Sequence, residues 1–307
     1  MKKSILSIAF FAAFGVTTVC AQFFQEAVHE YSAHIGGGLG SLRYDLPIGS
    51  RSGGVGFDFG VGYTLFLRNS AAVETGTIRH TQLGIHTGLG IALYGAKTAL
   101  NGETIVTENL TDRDYDPNAS FEVNQAALFH LHSKVRDFEE TQRLTLLTIP
   151  IMAQYEIDRY YFMGGFRFGV PIGGKYYSNN GATIDNAADY YHLGGDFAKE
   201  PQFVGLGDGF ALEKTNDVLK FDVSVILSLE AGVKWRINEN ISVYTGAYFD
   251  YGLNNAAKNF AHEPFVKYEP KNDYNVEKFT ANSILSTYQK RVNVMAVGVK
   301  VRVGYIR

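Results

Sequence analysis

Met295-Ala-Val-Gly-Val-Lys-Val-Arg-Val-Gly-Tyr305 is the stretch that decides the fold. Met295, Val297, Val299, Val301, Val303 and Tyr305 alternate with Ala296, Gly298, Lys300, Arg302 and Gly304. A two-residue period is that of an extended strand, here with one apolar face and one small or charged face. Alone it leaves the environment of each face open, because a soluble antiparallel sheet also buries one face and wets the other. The rest of the chain settles which side meets what.

Working back, Ile241, Val243, Ala247, Phe249, Tyr251 and Leu253 oppose Ser242, Tyr244, Gly246, Tyr248 and Asp250. Before the Asn238-Glu-Asn240 turn, Leu219, Phe221, Val223, Val225, Leu227, Leu229, Val233 and Trp235 oppose Lys220, Asp222, Ser224, Ser228, Glu230 and Lys234. Tyr160, Phe162, Phe166, Phe168 and Val170 form a further row, as do Thr145, Leu147, Ile149, Ile151, Ala153 and Tyr155, where Pro150 predicts a bulge or ladder break. Leu83 to Leu93, Val55 to Leu67 and a glycine-weakened Tyr31 to Tyr44 complete about eight strands. Arg68 to Thr81 is ambiguous, and strand contributed there or near Gln142 makes ten strands the alternative count.

Connections alternate between short and long, the long ones lying near 97–142, 178–216 and 254–289. Met1 to Ala21 has two lysines, an apolar run and a small-residue exit, as a secretory signal peptide requires, so cleavage is expected to leave 22–307. It removes Cys20, the single cysteine, and with it any internal disulfide. Val19 before Cys20 argues against lipoprotein processing. Without Lys2 and Lys3 the formal charge goes from −3 to −5, which speaks against a nucleic-acid partner. No later run is apolar for the roughly 20 residues of a membrane helix, whereas strands that alternate behind a secretion signal fit a closed sheet in lipid. The expected fold is therefore all-β: an antiparallel transmembrane β-barrel with short turns at one end and long external loops at the other.

The signal peptide, the Leu147-Thr-Ile-Pro-Ile151 strand, the pair joined by Asn238-Glu-Asn240 and the C-terminal alternation resemble the small outer-membrane barrels of Gram-negative bacteria, of OmpA-type and PorT-like kind. The resemblance covers nearly the whole mature chain, without room for a peptidoglycan-binding domain. The chain ends in Arg307 where many such barrels end in an aromatic residue, a role left to Tyr305. The resemblance implies the outer membrane as address and its lipid as partner; its PorT-like side implies an accessory role in envelope secretion as one alternative.

Strand parity sends Asp58, His86, Glu156, Arg167, Asp222, Glu230, Lys234, Asp250, Lys300 and Arg302 into one lumen. An eight-stranded barrel is just wide enough for its own side chains, so a structural charge network is expected, with a narrow conduit for ions or small solutes as its rival. Asp112, Asp114, Asp116 and Asn118 are spaced like calcium ligands, but Pro117 and Val123 break the pattern. His130 and His132 with Asp137 or Glu139 are candidate metal ligands, and Ser133 beside His132 and Asp137 a candidate hydrolytic set, but any polar loop this long offers as much. The expectation is a non-enzymatic protein with no catalytic residue, metal or cofactor. Loop aromatics such as Tyr190, Tyr191 and Phe197 favour protein or glycan partners. Tyr94, Tyr176, Tyr177 and Tyr251 are expected in an outer aromatic belt, and Tyr155, Tyr160, Trp235 and Tyr305 in an inner one.

Overall fold

The computed structural model describes residues 28–74, 77–111, 114–194, 196–257, 263–268, 279–288 and 291–307; the expected signal peptide lies outside them. Eight strands close a ring: β1 (Val28–Arg43), β2 (Ser50–Glu74), β3 (Thr77–Leu100), β6 (Phe138–Ile157), β7 (Tyr160–Ser178), β12 (Ser224–Arg236), β13 (Ile241–Gly252) and β16 (Asn293–Ile306). Each pairs antiparallel with its chain neighbour in the ring, and β16 returns to β1. Following register partners around the wall leads from Glu30 through Thr64, His86, Met152, Gly165, Ser228, Asp250 and Ala296 back to β1 at Gly40, ten residues higher. With standard strand spacing and rise, that stagger over eight strands tilts them by about 40° and sets a backbone radius of roughly 8 Å.

The apolar rows face outward. Phe57, Ile85, Ile151, Phe162, Leu229 and Val303 are about half exposed, while the alternate positions are buried inside. Thr145 to Tyr155 of β6, eleven residues, spans roughly 25 Å along the barrel axis at this tilt, the height of a lipid-facing band. Pro150 breaks the ladder as expected. It pairs with Arg167 on β7, but on the β3 side the pairing stops at Ile151 and resumes at Thr148 without a shift of register, because the missing N–H leaves no donor.

Four expectations are corrected. Arg68 to Thr81 adds no barrel strand: it lengthens β2 and β3 into a hairpin that pairs up to Glu74 and Thr77. Lys97 to Leu100 and Phe138 to Gln142, read as loop, continue β3 and β6 above the apolar band. Residues 219–223 leave the ladder, so Leu219 turns into the barrel and Asp222 sits half-buried in coil at the loop end, its N–H donating to the Ala256 carbonyl. Tyr94 and Tyr176 are buried inside rather than in the outer belt. Tyr94 shares the inward parity of Ala92; Tyr176 is turned inward by a bulge at Ile172, which lies between Pro171 and Gly173 and has no partner on β6. Tyr155, Tyr160, Trp235 and Tyr305 are exposed near the short-turn end.

The long connections share that opposite end, and their described residues are folded. A second sheet runs β14 (Val266–Lys267), β15 (Phe279–Ala281), β10 (Gly207–Glu213), β8 (Thr183–Tyr190), β5 (Leu128–Arg136), β4 (Thr104–Thr111), with β9 (Phe197–Ala198) against β8. Its buried face packs Phe129, Leu131, Val135, Ile184, Leu212, Phe265 and Phe279 onto Leu100 and Phe138, which rise from the barrel. A separate apolar cluster fills the upper barrel: Leu42, Tyr94, Leu144, Leu146, Tyr248 and Val294 from the wall, with Leu285 and Val292 inserted from the β13–β16 connection. β11 (Asn216–Val218) pairs with the top of β7.

Candidate functional site

Below that apolar plug the lumen carries five buried carboxylates, Glu30, Asp58, Glu156, Glu230 and Asp250, and four buried cations, Arg167, Lys234, Lys300 and Arg302. Strand parity puts them there, and two clusters form. In the upper one the Arg167 guanidinium forks across the barrel, Nη2 to Asp58 Oδ1 at 2.5 Å and Nη1 to Asp250 Oδ2 at 2.7 Å, with a further bond to Thr148 Oγ1 at 3.1 Å. Lys300 Nζ bridges Asp58 at 3.0 Å and Glu230 at 3.1 Å. The Ser228 hydroxyl donates to Asp250 at 2.6 Å, the Tyr161 hydroxyl to Glu230 at 2.9 Å, and His34 Nε2 lies 3.5 Å from Asp58.

In the lower cluster Lys234 Nζ meets Glu156 at 2.8 Å and Gln154 donates to the same carboxylate at 2.7 Å. The Tyr244 hydroxyl lies 2.6 Å from Glu30 Oε2 and 3.0 Å from Glu156 Oε1. Arg302 has no carboxylate within ion-pair distance among the described residues. It donates to Gln154 at 3.1 Å, stands 4.2 Å over the Tyr244 ring and 5.4 Å over that of Tyr161, and its charge acts on the Glu30 and Glu230 carboxylates from beyond ion-pair distance. His86 bonds Thr64 through Nδ1 at 2.9 Å.

Nine of the ten lumen residues expected from sequence thus lie inside the barrel, and Asp222 does not. The network also includes Glu30, His34, Thr148, Gln154 and the hydroxyls of Tyr161 and Tyr244, none of them among the expected lumen residues. Glu30 and His34 share the inward parity of β1, a signal present in the sequence; the tyrosines count as apolar in any alternation, so nothing local marks their hydroxyls as polar partners. A hollow of about 20 Å³, room for one water molecule, is lined by His34, His86, Thr148, Arg167, Glu230 and Lys300 among others.

Where barrel and loop sheet join, Glu140 is fully buried. It accepts hydrogen bonds from the Ser283 hydroxyl at 2.5 Å, the Ile284 N–H at 2.9 Å and Gln142 Nε2 at 2.8 Å. Burial pushes its carboxyl up to about 7, with those bonds pulling the other way. Tyr44, bonded to Thr98 at 2.6 Å and Gln142 at 3.0 Å in the same joint, is raised by burial to about 12.

On β5 the strand alternation separates the residues weighed as a rim site. His130 and His132 point away from the sheet core, while Ser133 between His132 and Lys134 is fully buried on the other face, so no Ser-His pair forms. The His130 ring lies 5.0 Å from Tyr191 and His132 makes an edge contact with Phe197 at 4.8 Å. Asp137 occupies the β5–β6 turn with positive φ. Glu139 donates its backbone N–H to Asn179. Asp116 closes its own turn by accepting the Asn118 N–H at 2.9 Å, and Asn124 clamps the Asp116 backbone. Among the described residues no three His, Cys, Asp or Glu side chains gather as metal ligands. No helix there is long and apolar enough to cross a membrane.

The family described as outer membrane protein beta-barrel domain matches residues 50–258. No curated protein matches the chain. Similar solved structures include Ail, the attachment invasion locus protein of Yersinia pestis, in complex with the heparin analogue sucrose octasulfate, with 12% identity over 89% of this chain and 98% of that one at a TM-score of 0.25. The outer membrane protease OmpT from Escherichia coli shows 8% identity over 92% and 97% at 0.28, and Neisserial surface protein A 11% over 90% and 94% at 0.23. Scores this low carry no argument about site or activity. The family match spans more than half the chain and agrees with the closed eight-stranded ring and its lipid-facing rows. The chain belongs to the outer membrane protein beta-barrel domain family, and its place is the outer membrane of a Gram-negative bacterium.

Proposed function

We propose that this protein is a closed, non-enzymatic barrel whose working surface is the folded sheet at its loop end, turned outward from the cell to bind a protein or glycan. One observation carries the reading: the long connections build a sheet with its own apolar core, and the face away from that core displays His130, His132, Tyr191 and Phe197 in ring contact. Phe121, also exposed, meets Tyr191 edge-on at 5.8 Å. Exposed rings on a rigid support offer large contact area with little ordering entropy left to lose. The packing of the lumen supports the reading, since an apolar cluster that includes Leu42, Tyr94, Leu144 and Tyr248 fills the upper barrel above the paired charges.

The test is retention of fluorescent vesicles carrying the protein on arrayed glycans and on immobilised envelope and extracellular proteins. Retention lost with the double variant Tyr191→Asp, Phe197→Asp is expected. No retention, or retention that the double variant leaves intact, overturns the reading.

A further inference from the structure

The outer wall carries a groove that the barrel's own construction does not require. Between Gly53 and Phe57 strand β2 parts from β3, and β1 reaches past it to pair Ser41 with Gly95. The floor of the resulting hollow of about 450 Å³ is Gly54, Gly95 and Ala96. Its lower wall is lipid-facing Val55, Phe57 and Leu93; its upper wall is Lys97, Arg143 and Tyr177.

The charges above it are the unexplained part. Arg143 and Lys175 are direct cross-strand partners, both exposed, and like charges directly opposite destabilise a sheet. Lys97, paired with Thr141 two residues from Arg143 on the same face, adds a third cation on the diagonal. Among the described residues none of the three has a carboxylate within ion-pair distance; the one contact of Arg143 is with the Tyr177 ring at 5.3 Å. At about 2.5 Å of height per residue, Arg143 stands roughly 5 Å above the Leu93 and Thr145 row, which places it in the headgroup layer rather than the hydrocarbon.

We propose that Lys97, Arg143 and Lys175 hold the phosphate of an outer-leaflet lipid, with an acyl chain lying in the groove along Val55, Phe57 and Leu93. A phosphate neutralises the repulsion that the strand register imposes, and Arg143 can bind it through two parallel N–H bonds. Neither a free anion nor a neutral lipid matches both walls.

The probe is phosphatidic acid compared with diacylglycerol of the same chains, each titrated into the refolded full-length barrel in detergent and read by native mass spectrometry. Wild type is expected to retain phosphatidic acid and not diacylglycerol. The triple variant K97Q/R143Q/K175Q should lose about 100-fold in apparent affinity, since each cation near an anionic headgroup is worth roughly a factor of five. The charge-preserving K97R/R143K/K175R should keep most of it, and R159Q/R236Q at the opposite end should change nothing. Heat-modifiable gel migration confirms that each variant is folded. Equal retention of the two lipids, retention unaffected by the triple variant, or complete displacement by millimolar inorganic phosphate would overturn the assignment.

Discussion

Replacing Arg167 by methionine tests whether the lumen is held together by charge pairing. The substitution keeps most of the side-chain volume and removes the fork that joins Asp58 to Asp250 across the barrel. Asp58 retains Lys300 at 3.0 Å, but Asp250 is left with only the Ser228 hydroxyl at 2.6 Å. Stranding one buried charge of this kind costs about 3–5 kcal/mol. Asp250→Asn alone removes one of the two arms and leaves Arg167 with Asp58, a smaller loss. In the double variant no carboxylate at position 250 remains to be stranded, so the loss should fall short of the sum of the singles by about 1–3 kcal/mol. The assay is urea unfolding in lipid vesicles, followed by the emission of Trp235. That residue is the only tryptophan, and it is 51% exposed at the short-turn edge of the lipid band. Effects that add to within about 0.5 kcal/mol, or a loss below about 1 kcal/mol for Arg167→Met, would refute the reasoning.

Further outcomes follow from the joint, the wall and the loop sheet. The Glu140 carboxyl is raised to about 7 in the folded state, so its contribution is complete below about pH 4.5 and is lost as pH rises through 7; protection factors of amides in 281–288 should be higher at pH 5 than at pH 8, and Glu140→Gln should flatten that difference. Leu131→Ala, at a fully buried position, should cost the loop sheet about 2–5 kcal/mol, exposing the connections to protease while heat-modifiable migration of the barrel survives. A Cβ on Gly56 meets the Gly40 backbone at 2.7 Å whereas one on Gly37 meets nothing nearer than 3.9 Å, so Gly56→Ala should destabilise by about 1–3 kcal/mol in the urea assay and Gly37→Ala hardly at all.

The barrel was legible because lipid on one side and a narrow lumen on the other impose the same alternation on every wall strand, as from Met295 to Tyr305. Parity also carried nine of the ten named lumen residues inside. It failed where the ladder is interrupted: residues 219–223 drop out of pairing and take Asp222 with them, and the Ile172 bulge reverses the facing of Tyr176. The loop sheet was missed for a different reason. Phe129, Leu131, Ser133 and Val135 do alternate, but over nine residues and with a buried hydroxyl, a signal no stronger than that of an ordinary polar loop. Its core is assembled from three separate connections, which no local pattern records. The groove above Leu93 was equally hidden, because Lys97, Arg143 and Lys175 become neighbours only through register.

The most direct test of the central claim, a lumen filled by its own ion pairs beneath an apolar plug, is the conductance of the refolded protein in a planar bilayer, measured beside Glu230→Ala. The filled lumen predicts a silent wild-type protein, because the ion pairs of Arg167 and Lys300 with Asp58, Glu230 and Asp250 and the apolar cluster above them occupy the space an ion would cross. Reproducible conductance steps in the wild type, altered by Glu230→Ala, would contradict it and make the lumen itself the working site.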